Sequence, residues 1–241
     1  MKHDRTWPDV LIAEARTALA REASGHDVHH ALRVRDLGVQ LAMLLSADVD
    51  VVEATALLHD IGHAGGRTDH ATRGARVAQE VLQRVAFPAA KTPLVIACIE
   101  HHHWQPANGG DPVDPPLEYR VFADADRLDA LGAIGIARTF AFGATQGRPI
   151  WDPDPSAAGG VYGVSSIHHF YDKLLHLQQG MYTEPARLLA LRRTETLRAF
   201  LQAFFEEWEL RDLNAPPAPP ARHRTRPRRG GAVTGGTRPR A

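Results

Sequence analysis

The sequence predicts an all-α protein. Apolar residues recur at helical spacing through most of the 241-residue chain, as in the series Val34, Leu37, Leu41, Leu44 and Leu45. No run of alternating β-branched residues is long enough for a convincing strand. Segments rich in glycine and proline separate the periodic stretches, which is typical of helices joined by irregular loops. We therefore expect a single helical bundle.

Each expected helix has a local signal. The first starts near His29, and Asp48 or Asp50 can cap the second, which runs through "VVEATALLHDIG" and ends at Gly62. The adjacent serines of "GVSSIHH" are placed to cap a later helix rather than to act as nucleophiles. The remaining helices are expected at about 70–86, 89–103, 118–145, 165–179 and 184–211, with loops at "QPANGGDPVDPP" and at about 146–163.

The C-terminus has a different composition from the rest of the chain. From Ala215 to Ala241 there are seven arginines and no acidic residue, so the remainder carries 21 basic and 28 acidic side chains. This segment offers little to bury, which predicts a disordered tail at 214–241 after a domain at 1–213. The acidic body argues against a broad nucleic-acid-binding face and suits a bound cation, so nucleic acid is expected, if anywhere, at the tail.

Cysteine content and hydropathy indicate the compartment. Cys98 is the single cysteine, and its position in the apolar stretch "LVIACI" indicates core packing. The N-terminal "MKHDRTWPDV" lacks the apolar run of a signal peptide, and no segment approaches the roughly 20 apolar residues of a membrane span. We expect a cytoplasmic protein with no membrane contact.

Four residues form a pattern that indicates a metal site: His30 in "HDVHHALRV", the pair His59 and Asp60 in "ALLHDIGH", and Asp126 in "ADADRLDALG". Imidazoles mixed with carboxylates suit divalent Mn, Fe, Zn, Ni or Co better than Ca. Successive helix residues point about 100° apart, but His59 and Asp60 can converge on an ion just off the helix surface. Taken singly, each residue is ordinary. Together they place charge beside apolar segments, where it needs a partner.

The chain resembles the HD superfamily of metal-dependent phosphohydrolases, whose signature is a histidine, then His-Asp, then a distant aspartate. It is most similar to a bacterial subfamily typified by YedJ and YpgQ. The resemblance places the metal ligands on His30, His59, Asp60 and Asp126. The segments that carry it are "GHDVHHALRV", "ALLHDIG", "HATRGARVAQEVL", "DADRLDALGAIGIARTFAFG", "SSIHHFYDKLLHL" and "TEPARLLALRRTETLRAFLQAFFEEW".

The sequence does not decide the roles of two neighbouring acids and one arginine. Asp124 is an alternative to Asp126 as the last ligand; otherwise Asp124 and Asp129 support the ligands or are solvated. Arg127 is either an outer phosphate clamp or a salt-bridge partner of Asp124.

The resemblance also implies residues that act on the substrate. His70 and one histidine of "EHHHW", taken as His102, are expected to contact phosphate or donate a proton; the same region supplies further ligands in two-metal relatives, so a second metal stays open. Which of His101, His102 and His103 faces the site is undecided. Lys173 in "FYDKLL" is either a phosphate-binding cation or an exposed lysine.

The resulting hypothesis is hydrolysis of a nucleotide or related phosphorylated metabolite through a metal-activated water. Asp60 would both bind the metal and accept a proton. Two alternatives remain: a di-iron oxygenase of the HD fold, and a non-catalytic metal-binding regulatory module. The substrate, the leaving group, the oligomeric state and the choice among Mn, Mg, Co, Ni, Fe and Zn stay open.

Overall fold

The computed structural model describes residues 5–65, 70–102, 114–153 and 164–214, and within these ranges it contains nine α-helices and no strand. The all-α prediction is confirmed. Short 3₁₀ segments lie at Ile61–Gly65, Leu174–Gly180 and Arg211–Asn214. The α-helices are α1 (Trp7–Ala18), α2 (Val28–Leu45), α3 (Val49–Leu58), α4 (His70–Arg84), α5 (Thr92–His101), α6 (Leu117–Asp129), α7 (Gly132–Thr145), α8 (Ser166–Asp172) and α9 (Glu184–Trp208).

The chain divides into two compact units, residues 1–203 and residues 204–241. The first contains α1 to α8 and most of α9. In the second, the ring of Phe204 stacks on that of Trp208, with centroids 5.8 Å apart. The domain boundary expected at residue 213 stays a prediction, and the arginine-rich tail expected from residue 214 lies, beyond Asn214, outside the described residues.

Helix α3 forms the centre of the first unit. Every residue from Val51 to Leu58 is buried, and the helix packs against α1, α2, α5 and α6. Asp48 caps its N-terminus, since the carboxylate accepts hydrogen bonds from the backbone N–H groups of Asp50 and Val51 at 3.0 and 3.3 Å. Each large apolar side chain buried here stabilises the fold by about 1.5–3 kcal/mol. The His59–Asp60 pair therefore directly follows a buried helix that packs against four others.

Helix α2 lies directly against α3. A Cβ added at Gly38 would come within 2.9 Å of Cγ1 of Val52, so the two backbones approach more closely than a side chain at position 38 allows. At the start of α2, the carboxylate of Asp27 accepts a hydrogen bond from the backbone N–H of His30 at 2.9 Å. This cap fixes the first turn of α2, which carries His30.

The single long helix predicted from 118 to 145 is wrong: the structure has two helices, α6 and α7. Leu131 is extended, with φ of −113° and ψ of 161°, and Gly132 has a φ of +70°. A positive φ is costly for residues with a Cβ and accessible to glycine, so the chain turns at this position. Apolar periodicity runs unbroken through "LDALGAIGI" and could not reveal the break.

Other boundaries also differ from expectation. Helix α3 ends at Leu58 rather than Gly62, and the helix expected at 165–179 ends at Asp172 and continues as a 3₁₀ segment. Lys173, with φ of −135° and ψ of −57°, separates the two. Helix α1 was not predicted. The expected serine cap is confirmed, because Oγ of Ser165 accepts a hydrogen bond from the backbone N–H of His168.

Cys98 and the hydropathy of the helices agree with the sequence analysis. Cys98 is buried, and burial raises the pKa of its thiol to about 12, so it packs in the core as predicted. Among the described helices, none is both long enough and apolar enough to span a membrane.

Candidate metal centre and cavity

The structure brings the four predicted metal ligands together from three helices. His30 lies in the first turn of α2, His59 and Asp60 directly follow α3, and Asp126 lies in α6. Nε2 of His30 is 3.5 Å from Oδ2 of Asp60 and 3.3 Å from Oδ1 of Asp126. Among the described residues, His30, His59 and Asp60 form a buried group whose ligand atoms lie within 4.8 Å of one another. This cluster could hold a metal ion.

The adjacent His59 and Asp60 converge because the helix ends at this point. His59 is the C-cap residue of α3, and Asp60 lies in the turn that leads into the 3₁₀ segment. Nε2 of His59 is 3.2 Å from Oδ2 of Asp60. The side chains therefore meet although neighbouring positions of a continuous helix would point about 100° apart.

The hydrogen bonds of the two histidines fit a cation. Nδ1 of His59 lies 2.9 Å from the carbonyl oxygen of Ala56, and Nδ1 of His30 lies 2.8 Å from Oδ2 of Asp129. Both oxygens only accept, so both Nδ1 atoms carry the proton and each neutral ring has its lone pair on Nε2. The two Nε2 atoms lie 3.2 Å apart. Two lone pairs in this position require a cation or a proton between them.

Asp60 presents its two oxygens to different groups. Oδ2 faces His30 and His59, is buried and forms no hydrogen bond with any described residue, as a metal ligand would. Oδ1 lies 3.2 Å from Nε2 of His63 and 3.7 Å from Nε2 of His102. Burial alone would raise the pKa of Asp60, but the charge of His59 and the proximity of His102 and His63 hold it well below its usual value. The carboxylate stays ionised.

Asp129 is buried behind His30. It accepts hydrogen bonds from Nδ1 of His30 at 2.8 Å, from Nε and Nη2 of Arg33 at 2.7 and 2.9 Å, and from Nη1 of Arg138 at 3.1 Å. Burial would raise the pKa of Asp129, but the hydrogen bonds from His30 and Arg33 lower it strongly. Of the two readings left open for this acid, support of a ligand fits the structure and solvation does not.

Asp124 has a different role. Its carboxylate accepts hydrogen bonds from the backbone N–H groups of Tyr182 and Thr183, both at 2.8 Å, and from the Thr183 hydroxyl at 2.7 Å. These donors lie just before α9, so Asp124 stabilises the start of that helix. Both of its oxygens are engaged there, whereas Asp126 of α6 faces Nε2 of His30.

The four candidate ligands line one side of a cavity of about 350 Å³. His102 and Lys173 line it, as does Arg127, whose Nη1 also donates to the carbonyl oxygen of Gly180 at 2.6 Å. The neighbour of His102, His101, is exposed. His103 and the side chain of His70, the first residue of α4, lie outside the described residues. The cavity therefore contains cationic side chains in addition to the four candidate ligands. Phe142, Leu174 and Leu177 are apolar residues of its lining.

Four ionisable residues of the cavity were not selected from the sequence: His26, His63, Arg138 and His169. A local signal existed for His63, because it follows Asp60 by three residues, a spacing that brings side chains together in a helical turn. The ring of His26 stacks on that of His63, with centroids 5.4 Å apart. Arg138 and His169 reach the cavity only through the turn at Gly132 and the packing of α8, which local patterns do not encode.

Comparison with known proteins agrees with this geometry. The HD domain family model matches residues 27–131, which contain all four candidate ligands. The protein YpgQ of Bacillus subtilis is 34% identical over 202 residues, covering 82% of this chain and 88% of YpgQ. An all-helical chain with this ligand cluster, family match and relative belongs to the HD-domain superfamily.

Solved structures extend the comparison. A Lactobacillus plantarum protein superposes with a TM-score of 0.73 at 31% identity, covering 86% of this chain and 99% of its own. An HD-superfamily hydrolase from Bacillus thuringiensis gives 0.64 at 31%, covering 84% and 96%. Bacillus subtilis YpgQ in complex with ADP gives 0.67 at 29%, covering 83% and 97%. These neighbours support a metal-dependent hydrolase as the general class of this protein.

Proposed function

We propose that this protein is a metal-dependent phosphohydrolase that acts on a nucleotide or a related phosphorylated metabolite. One observation carries the proposal: Lys173 and Arg127 line the same cavity as the ligand cluster of His30, His59, Asp60 and Asp126. A substrate phosphate can thus contact a cation at the cluster and a basic side chain on another wall of the cavity.

The cation would be held by Nε2 of His30, Nε2 of His59, Oδ2 of Asp60 and Oδ1 of Asp126. Two imidazoles and two carboxylates suit Mn, Fe, Co, Ni or Zn and also tolerate Mg. When bound, such an ion supplies a Lewis acid that polarises a phosphoryl oxygen and lowers the pKa of a water molecule toward about 7.

Asp60 and His102 are the candidates for moving protons. Oδ1 of Asp60 faces the cavity histidines rather than the proposed cation and can accept a proton from the attacking water. Nδ1 of His102 donates to the carbonyl oxygen of Ile99, so Nε2 is the atom of a neutral ring that accepts a proton and later passes it to the leaving group. The corresponding role of His70 stays a prediction.

The residues that line the cavity support a nucleotide as the substrate rather than inorganic polyphosphate. Its basic groups suit phosphates, and the wall at Phe142, Leu174 and Leu177 suits a base or a sugar. The ADP present in the YpgQ structure is consistent with such a ligand.

The test is a hydrolysis screen with metal-stripped protein resupplied with Mn²⁺, Mg²⁺, Co²⁺, Ni²⁺ or Zn²⁺. Nucleoside mono-, di- and triphosphates are incubated beside an Asp60→Asn variant, and released phosphate and pyrophosphate are measured separately. We expect metal-dependent release that falls at least about 100-fold in the variant, because both the ligand and the proton acceptor are changed. An Asp36→Asn variant, which changes an exposed acid of α2, is the matched control.

Two outcomes would contradict the proposal. Absence of release with every metal, despite stoichiometric metal by elemental analysis, would favour a binding module. Tight binding of two irons with O₂ consumption would favour an oxygenase.

A further inference from the structure

We propose that Asp129 is a positioning residue of the metal centre: its carboxylate fixes the His30 ring so that Nε2 presents its lone pair to the cation. The inference rests on the metal site of the proposed function. It concerns how the cation is held, and no step of hydrolysis enters it.

The hydrogen bond between His30 and Asp129 is short and buried. Nδ1 of His30 and Oδ2 of Asp129 are 2.8 Å apart, and both side chains are buried, with 1% and 5% of their side-chain surface exposed. His30 lies in α2 and Asp129 is the last residue of α6. The bond therefore joins two of the three helices that supply ligands, at the atom of the ring opposite to the one that faces the cluster.

The chemistry of this bond determines which nitrogen binds the metal. An ionised carboxylate only accepts hydrogen bonds, so the ring proton resides on Nδ1. Nε2 therefore keeps the lone pair with which it can bind a metal. A carboxylate behind a metal-bound imidazole also increases the basicity of the ring and orients it. Without Asp129, the proton could move to Nε2, and the ring could not then bind a metal through that atom.

Two arginines hold Asp129 itself. Arg33 contacts both oxygens, through Nε at 2.7 Å and Nη2 at 2.9 Å, in the paired geometry that favours a fixed orientation. Arg138 of α7 donates to Oδ2 at 3.1 Å and to the carbonyl oxygen of Gly25 at 2.8 Å. Asp129 is therefore held by side chains of α2 and α7, and Gly25, in the turn before α2, holds Arg138 in turn. This degree of restraint is what a residue that orients a ligand requires.

The test compares Asp129→Asn with Asp124→Asn. Both replace a buried aspartate of α6 by its amide, but Asp124 contacts Tyr182 and Thr183 instead of His30. Affinity for Mn²⁺ is measured by calorimetry, and ¹⁵N NMR of the histidine rings in metal-free protein at about pH 10, well above the ordinary imidazole pKa, reports which nitrogen carries the proton. Urea unfolding gives the stability of each variant.

In the wild type we expect His30 to carry its proton on Nδ1. Asp129→Asn should weaken Mn²⁺ binding by about 10- to 100-fold, the usual effect of losing such a partner, and should move part of the His30 population to the other tautomer. Asp124→Asn should lower stability while it leaves the tautomer unchanged and Mn²⁺ affinity within about twofold of the wild type.

Several results would overturn the inference. They are a wild-type His30 protonated on Nε2, an Asp129→Asn variant that binds Mn²⁺ as tightly as the wild type, and an equal loss of affinity in Asp124→Asn. The first needs no variant, so the inference stays testable if Asp129→Asn does not fold. Because none of these measurements uses hydrolysis, a protein that binds Mn²⁺ through His30 but hydrolyses nothing would refute the proposed function alone.

Discussion

Nε2 of His30 lies 3.2 Å from Nε2 of His59, while both rings donate through Nδ1 to oxygen atoms behind them. Neutral imidazoles in this arrangement direct two lone pairs at each other. Burial alone would lower the pKa of His59, but Asp60 and Asp126 raise it to about 9. The position between the two Nε2 atoms therefore favours a positive charge, as a bound divalent cation would supply.

A first prediction is that Mn²⁺ stabilises the metal-stripped protein. A ligand that binds only the folded state raises the free energy of unfolding by about 2.7 kcal/mol at a hundredfold excess over its Kd. His30→Ala should abolish most of this increase because it removes one ligand. Urea unfolding with and without Mn²⁺ measures the effect.

The matched control for that experiment is His29→Ala. His29 is the sequence neighbour of His30 and is exposed on α2, so its removal should leave the Mn²⁺ effect unchanged. If His29→Ala and His30→Ala lost the effect equally, the assignment of His30 as a ligand would be wrong.

Much of the site could be predicted from the sequence because its residues lie in short segments with their own pattern. The pair His59–Asp60 follows an apolar run that is buried as α3, and the serine and aspartate caps mark the helix starts. The choice between Asp124 and Asp126 as the last ligand, and the role of Asp129, could not be derived from the sequence, because these residues share one helix. Their partners, Thr183 for Asp124 and His30 for Asp129, are distant in the chain.

The break between α6 and α7 could not be predicted from the sequence. The sequence around Gly132 satisfies helical periodicity on both sides, and the two helices are separated by the extended Leu131 and the positive φ of Gly132. That turn brings Arg138 back to Asp129. Long-range packing of this kind has no local sequence pattern.

A second prediction concerns this turn. Gly132→Ala should lower the free energy of unfolding by about 2 kcal/mol, because a residue with a Cβ is strained at positive φ and its Cβ would lie 3.2 Å from Cγ of Arg193. Gly147 has a similar φ of +65°, and a Cβ there meets no described atom within 4 Å. Gly147→Ala should thus cost only about 1 kcal/mol. Equal costs in urea unfolding would show that the close approach to Arg193 adds nothing to the strain at position 132.

A third prediction concerns Lys173. Lys173→Gln should raise KM for the phosphorylated substrate by about tenfold and change kcat little, because the charge contacts substrate phosphate before and during the reaction alike. Lys91→Gln is the matched control: Lys91 forms ion pairs with Asp48 and Asp50 at the start of α3. Steady-state kinetics would refute the assignment of Lys173 if both variants kept the wild-type KM.

A fourth prediction concerns stability in acid. Burial, together with the charges of Lys173 and Arg148, lowers the pKa of His169 from 6.5 to about 4. Between these values the unfolded chain binds a proton that the folded protein does not, so stability must fall as pH decreases from about 6.5 to 4. In His169→Gln this loss should be smaller than in the wild type by on the order of 2 kcal/mol. Urea unfolding at pH 7 and pH 4.5 measures the difference, with the exposed His176→Gln as control. If His169→Gln lost as much stability in acid as the wild type, His169 would not be neutral in the folded protein, and its place in the cavity wall beside Lys173 would have to be revised.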